Sequence, residues 1–346
     1  MNSENKNSKF KRPKHEKDDG HAHIKFGQDP KPNLQKYGYC VVENVLTPME
    51  CDERIDDMWT WLEGLGTGIK RSDKTTWSNN YWPIGTLHQG MLQHSLGQEE
   101  FMWKTRENLC IRYVFYQIYN TFKLLTSFDA ATICRPPESG YVQAPNNSWL
   151  HTDQKIINCK LEKVYTSDYY SIQGIVNLED SGDEDGGFFV GEKSHLLHTK
   201  MFENNKENPK DNWYLINKDD LSFLQKEGTK FTKVNASKGA LILFDSRCIH
   251  SGFPNQKGRE VEKFRYVIYV SMTPAKRATK KDIDKKIKAV KEGKMTSHWS
   301  SCNVKIFGLP RTYGKPEPAY FRRKENIPDW QTWSNDRKQL SGLLTY

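Results

Sequence analysis

"GALILFDSRCIH", Gly239 to His250, opens on a glycine and ends on a histidine, with an apolar run, an acid and a base between them. In an extended strand successive side chains point to opposite faces, so Ile242, Phe244, Ser246, Cys248 and His250 share one side, and Asp245 and Arg247 share the other. Such a strand buries an apolar face and delivers a histidine at its rim. Five other stretches have the same texture: "FDAATICR" (128–135), "WLHTDQKII" (149–157), "YSIQGIVNL" (170–178), "GGFFVGE" (186–192) and "FRYVIYVSM" (264–272). Each is short and is bounded by Gly, Pro, Asn or Asp, and no regular alternation with helices separates them. This pattern predicts a mainly β fold with flanking helices, a sandwich or jelly roll.

Helices are expected before and after these strands. Thr47, Pro48 and Glu50 form a helix start with a capping box, and Ile55, Met58, Trp59 and Leu62 then make an apolar stripe. A strand over residues 39–45 precedes it, and a second helical region is predicted over 99–124. Thr279 caps a further helix with Ile283, Ile287 and Val290 along one face and Gly293 as its stop. The predicted organisation is a flexible basic tail over residues 1–30 and a single domain over 31–346. That domain has a helical part at 47–125, a core at about 126–275 with a helical insertion at 200–237, and a basic helix with an extension at 276–346. The "HAH" of His21 and His23 falls in the tail, where no role is expected for it.

Composition narrows the class. The chain has 346 residues, a hydrophobic fraction of 36% and seven cysteines, with no C-x-x-C pair. No apolar run is long enough for a membrane helix, and the first residues lack the apolar segment of a signal peptide. A soluble protein of the cytoplasm's reducing compartment is the expectation, with no membrane partner. The net charge of +9 is concentrated in residues 276–294, which hold nine Lys/Arg against three Asp/Glu. That helix face either is simply solvated or contacts an acidic partner such as nucleic acid, with Lys280, Lys285 and Lys288 as phosphate contacts.

In "WLHTDQ" (149–154), His151 and Asp153 are one residue apart, and on a strand both project from one face, as two ligands of one metal must. His250 is the best third ligand, although a lone histidine at the end of an apolar strand also fits a core residue bonded to a backbone carbonyl. Two imidazoles and one carboxylate make the facial triad of non-haem Fe(II) oxygenases, which leaves adjacent coordination positions open. Arg265 shares a strand face with Val267 and Tyr269. If that face is internal, the guanidinium there needs a carboxylate, which a dicarboxylate cosubstrate would supply. Otherwise Arg265 faces solvent, and Arg259 in the preceding loop competes for the role.

"WLHTDQ", "SIQGIVNLEDSGDEDGGFFVGEKSH" (171–195), "KGALILFDSRCIHSGFPN" (238–255) and "KFRYVIYVSM" (263–272) resemble, in order and spacing, the phytanoyl-CoA dioxygenase-like branch of the Fe(II)/2-oxoglutarate-dependent dioxygenases. "GYCVVENVLTPMEC" (38–51) and "SFDAATICRPP" (127–137) belong to the same resemblance, which runs from about Leu34 to "TSHW" at 296–299. It implies a double-stranded β-helix, a jelly-roll, cupin-like core. It also implies Fe(II) held by His151, Asp153 and His250, 2-oxoglutarate held by Arg265 with help from Ser251, and O2 as oxidant. Gln173 would face the pocket if its strand register matches, and solvent otherwise. The glycines of "DEDGG" are expected to relieve a turn between barrel strands. His195 and His198 are expected at the surface or at a strand end.

The implied reaction couples oxidative decarboxylation of 2-oxoglutarate to succinate and CO2 with hydroxylation of a small or medium-sized organic substrate. The acidic ligand Asp153 disfavours halogenation. Loops at the barrel mouth, with His88, Gln89 and Arg135, are expected to contact substrate. Two alternatives stand beside this reading: an oxygenase acting on nucleic acid or its bound protein, and a non-catalytic jelly-roll binding module that uses the helix at 279–294.

Overall fold

A computed structural model describes residues 10–84, 91–92, 96–140, 149–154, 171–204, 212–310, 312, 314–322 and 327–346. Two sheets face each other. The larger contains β2 (His23–Lys25), β3 (Tyr39–Glu43), β12 (Leu241–Asp245), β8 (Ile172–Asn177), β14 (Arg265–Pro274), β6 (Ala131–Cys134) and β4 (Met91–Leu92) in that order, with β5 (Leu124–Thr126) paired to β14. The smaller runs β1 (Glu16–Lys17), β11 (Phe231–Val234), β9 (Gly187–Gly191), β13 (His250–Phe253), β7 (His151–Thr152) and β10 (Tyr214–Leu215). Except for β1–β11 and β2–β3, all pairs are antiparallel.

Alternation along the strands sorts the core into layers. Between the sheets lie Val41, Ile175, Ile242, Phe244, Val190 and Val267. The opposite residues of the larger sheet, including Leu241, Leu243, Val176 and Ile268, pack under helices α2 (Pro48–Gly64), α3 (Glu100–Glu107) and α4 (Leu109–Tyr119). A shorter helix, α1 (Lys31–Tyr37), leads into β3. The outer face of the smaller sheet, with Phe189, Phe231 and Phe253, is covered by α5 (Ser194–Asn204) and α6 (Lys218–Lys226). Helices α7 (Lys280–Lys291) and α8 (Asn335–Ser341) close one end around Trp103 and Phe128. Each large apolar side chain buried in these layers contributes about 1.5–3 kcal/mol. This is the jelly-roll core with flanking helices that the strand pattern predicts.

Particular elements differ from expectation. The stretch 239–250 is two strands: Asp245 accepts hydrogen bonds from the backbone N–H of Arg247 at 2.9 Å and from its guanidinium, and that turn sends β12 into one sheet and β13 into the other. His250 is therefore across the barrel from Ile242 and Phe244 rather than at the end of their strand. The helical region at 99–124 breaks at Asn108, whose side chain accepts from the N–H groups of Cys110 and Ile111 and starts α4.

Residues 16–17 and 23–25 are not a free tail: β1 and β2 pair in parallel with β11 and β3, and Ala22 is buried between them. The region 200–237 contains α6 as expected, but also β10 and β11, which are strands of the smaller sheet. Gly186 and Gly187 serve close approach, not unusual backbone angles. A Cβ on Gly186 would meet Asn255 Oδ1 at 2.6 Å, and one on Gly187 would meet Lys233 Cε at 2.7 Å.

The basic helix α7 begins at its Thr279 capping box, yet its buried face centres on Lys286, with Ala289 and Val290, and leaves Ile283 half-buried. Lys286 is fully buried, donates to the carbonyl of Thr126 at 2.5 Å and lies 4.1 Å above the Phe128 ring, and burial pushes its pKa well down. Lys285 donates to Val304 O, while Lys280 and Lys288 pair with Asp284 and Glu292. Of the charges expected to meet phosphate, Lys285 is tied to the fold, whereas Lys280 and Lys288 pair only with acids of their own helix and stay exposed.

Candidate metal centre

The short strands β7 and β13 pair at a single position, His151 opposite His250, and directly opposed residues of an antiparallel pair point to the same face. Their rings are 4.2 Å apart. His250 also opposes Val190, an inward residue, so both imidazoles face the space between the sheets. Asp153 sits just past β7 in a turn held by its backbone N–H to Ser246 O at 3.0 Å, and its carboxylate swings under both rings. His151 Nε2 is 3.6 Å from Oδ1 and His250 Nε2 is 3.4 Å from Oδ2.

The tautomers follow from the other nitrogens. His151 Nδ1 lies 2.9 Å from Trp149 O, and His250 Nδ1 lies 2.9 Å from Cys248 O. A carbonyl can only accept, so both Nδ1 atoms carry the proton and both Nε2 lone pairs point at the carboxylate. Burial, with the neighbouring His250 ring, lowers the pKa of His151 to about 4, which keeps it neutral near pH 7. Burial alone would raise Asp153, but positive charge on the His298, His151 and His250 rings, whenever they are protonated, outweighs it and holds the carboxyl well below its usual range.

The three ligand atoms lie within 4.8 Å of one another and all three residues are nearly enclosed. Bonds of about 2.1 Å from nitrogen and oxygen to a divalent ion put adjacent ligands about 3 Å apart. The observed separations accept such an ion with a small contraction, and two imidazoles with one carboxylate are the donor set of a non-haem Fe(II) triad.

Gln173, on β8, faces this site rather than solvent. Its Nε2 donates to Asp153 Oδ2 at 2.8 Å and to Ser246 Oγ at 3.2 Å, so it touches the carboxylate of the candidate acidic ligand. Ser251 does not join the site. It opposes Phe189, shares the outer face with Phe253, and its buried hydroxyl finds no partner there. Arg265 begins β14 on the inward face with Val267 and Tyr269, and it is buried. No acidic side chain among the described residues pairs with it, and its Nε has no hydrogen-bond partner.

Arg259, the competitor, is consumed by the fold: it grips Glu138 through two nitrogens at 3.0 Å and reaches Asp185 at 2.6 Å. Arg135 is likewise engaged, donating to Trp77 O and Asn79 Oδ1 and lying over the Trp82 ring. His88 and Gln89 lie outside the described residues. His195 and His198 are buried on α5, not at the surface, and bond to the carbonyls of Gln35 and Gln154.

Sequence reasoning gave His298 no role, yet its Nδ1 is 3.9 Å from Asp153 Oδ2. It belongs to "TSHW", an irregular stretch beyond the strands, so neither periodicity nor spacing marks it. Trp213, 5.8 Å from the His151 ring, was missed for the same reason, while Trp149 at 4.4 Å adjoins the motif itself.

Comparison with known proteins bears on this geometry. The family model for phytanoyl-CoA dioxygenase (PhyH) matches residues 34–260, well over half of the chain and inclusive of all three candidate ligands. The chain belongs to the phytanoyl-CoA dioxygenase family. Among curated relatives, the Ava biosynthesis cluster protein O of Aspergillus versicolor is 23% identical over 270 residues, covering 75% of this chain and 81% of that one. Among solved structures, GlcNAc Inducible Gene 2 of Candida albicans is similar in fold, with a TM-score of 0.60 and 12% identity over 94% of this chain and 80% of that one. A more distant likeness is to the epimerase SnoN, crystallised with Fe3+, alpha-ketoglutarate and nogalamycin RO, with a TM-score of 0.43 and 14% identity over 70% and 81% of the two chains. The chain is thus a member of an oxygenase family whose donor triad is present. No helix among the described residues is long and apolar enough to cross a membrane.

Proposed function

We propose that the protein is an Fe(II)/2-oxoglutarate-dependent oxygenase that hydroxylates a small or medium-sized organic substrate. In this reading His151, Asp153 and His250 hold the metal, and Arg265 receives the distal carboxylate of 2-oxoglutarate. The observation that carries it is the pair of histidines with Nδ1 tied to backbone carbonyls, so that both Nε2 atoms converge on one buried carboxylate. Iron and 2-oxoglutarate, when bound, supply dioxygen activation coupled to decarboxylation to succinate and CO2.

The chain's own part is to hold and to enclose. The carbonyls of Trp149 and Cys248 fix the ring orientations of the two histidines, and Gln173 restrains Asp153. Phe188, Phe244 and Trp149 crowd the imidazoles and exclude water from the site. Arg265 offers a planar cationic fork on the inward face, and among the described residues no acidic side chain pairs with it, a charge balance that an arriving carboxylate would complete. An intact Asp153 leaves no ligand position for halide, which supports hydroxylation over halogenation. The name of the Aspergillus relative, from a biosynthesis cluster, supports a small-molecule substrate. Two lysines of α7, Lys285 and Lys286, donate to the carbonyls of Val304 and Thr126, which weighs against their use on nucleic acid.

Aerobic incubation of the Fe(II)-loaded protein with 2-oxoglutarate tests the reading. Slow release of succinate without added substrate is expected, absent in Asp153→Ala, and stimulated by true substrates in a screen of small molecules. Succinate at the level of a protein-free control, from folded and metal-loaded protein, would overturn it.

A further inference from the structure

Side chains alternate along β7 and β10, and the alternation leaves three large apolar groups out of the core. Leu150, Tyr214 and Ile216 point outward and pack with Phe202 and Phe231 in the layer covered by α5 and α6. The residues between them point the other way. Leu215 is directly opposite His151 in the antiparallel pair of β10 and β7, so it shares the inward face of that imidazole. Trp213, two residues before Leu215, and Trp149, two residues before His151, fall on the same face.

Ring contacts agree with this placement. The Trp149 ring is 4.4 Å from that of His151 and the Trp213 ring 5.8 Å, while the two indoles are 6.0 Å apart and inclined at 40°. None of the three apolar residues belongs to an apolar cluster among the described residues. Trp149 and Leu215 are half-buried, and Trp213 is 42% exposed. A metal ligand is thus flanked by a continuous apolar wall that the core does not cover, and such a surface beside a buried polar centre is what a ligand site offers.

The shape of the wall selects among apolar ligands. An alkyl chain would be served as well by Leu or Ile, which need no rigid plane. A cation would also favour indole faces, but a divalent ion on the neighbouring triad would repel it. A flat ring gains from both indoles through offset or edge-to-face contact. It cannot slide between them, since two stacking contacts of about 3.5 Å each need more than the observed separation. It therefore lies along the wall, over Trp213.

We propose that Trp149 and Trp213 are specificity-determining residues of the metal centre and that its substrate class is an aromatic compound, held with a flat conjugated ring beside His151. The inference rests on the oxygenase reading above and gives its substrate a shape.

Two neutral probes of equal carbon count test it on protein loaded with Mn(II) and 2-oxoglutarate: 2-naphthol, which is flat, and 2-decalol, which is saturated and puckered. Relaxation of the probe protons by bound Mn(II) reads both affinity and nearness to the centre. Wild type is expected to bind 2-naphthol near the metal and 2-decalol several-fold more weakly. Trp213→Ala should raise the 2-naphthol dissociation constant about tenfold, with a smaller effect on 2-decalol, and Trp213→Phe should keep most of the wild-type affinity. Trp149→Ala should act in the same direction; if it fails to fold, the exposed Trp213 decides the matter alone. Failure of 2-naphthol to bind wild type, equal affinity for the two probes, or 2-naphthol binding unchanged in Trp213→Ala would overturn the proposal. Mn(II) affinity is measured separately, beside Asp153→Ala. Mn(II) held equally by wild type and that variant is failure of the metal-centre reading, and this inference falls with it; Mn(II) held by wild type alone, with an indifferent Trp213→Ala, is failure of this inference only.

Discussion

His198 lies on α5 with its Nε2 2.6 Å from the carbonyl of Gln154, the residue next to Asp153. Burial lowers its pKa to about 4, so the folded protein favours the neutral ring that donates this bond. The unfolded chain takes up a proton near pH 6.5, which means that the stabilisation is present above that pH and is lost as pH falls toward 4. The contribution is about 3 kcal/mol. Thermal melts of the metal-free protein from pH 7 to pH 4 should therefore fall more steeply for wild type than for His198→Gln. Parallel slopes would show that His198 is not the titrating group. At this scale the candidate metal ligands were legible because a strand's period of two makes H-x-D a spatial statement. Their surroundings were not: Gln173 depended on a register that a single strand does not reveal, His298 lies on an irregular segment, and the exclusion of Ser251 depended on which face of β13 looks inward, a face settled only by its pairing with Phe189.

Elements joined by few residues depend on their ion pairs. β2 is three residues long, and His23 holds it, with Nε2 3.0 Å from Asp18 and Nδ1 2.9 Å from Glu43 on β3. Burial by itself would lower the pKa of His23, but the two carboxylates outweigh it and raise it to about 9. This stabilisation is complete below pH 6.5 and is lost as pH rises through 9. Trypsin cleavage after Lys14 and Lys17, corrected by an unstructured control peptide, should accelerate between pH 6.5 and 9. In His23→Ala it should be fast throughout. A wild-type rate independent of pH would contradict the role. The polar composition of residues 1–30 concealed this, because a parallel edge strand needs backbone partners more than apolar side chains, and those partners are far away in sequence. Helix α2 was legible to its cap, whereas the buried lysine of α7 shifted the expected face, keeping Val290 buried but leaving Ile283 and Ile287 half-buried, since Lys286 finds Thr126 O and the Phe128 ring only in the folded molecule.

On the scale of the whole molecule, two sheets bring together residues a hundred positions apart, and later segments brace them. Trp59 of α2 donates to the Tyr266 hydroxyl on β14 at 2.8 Å, and Arg337 of α8 forks onto Glu100 and Glu107 of α3. The jelly roll was legible in the rhythm of short strands, but the division of residues 239–250 between two sheets was not, because a strand that turns at Asp245 and one that continues have the same alternation. That division is what carries His250 to His151. The central claim, an iron centre that takes 2-oxoglutarate, is tested most directly by anaerobic visible absorption of the purified protein, titrated first with Fe(II) and then with 2-oxoglutarate. A charge-transfer band that needs both additions is expected, absent in His151→Ala and Asp153→Ala, and in Arg265→Ala reached only at about a hundredfold more 2-oxoglutarate, as for loss of one side of a buried charge pair. No band from folded wild-type protein at saturating Fe(II) and 2-oxoglutarate would contradict the account.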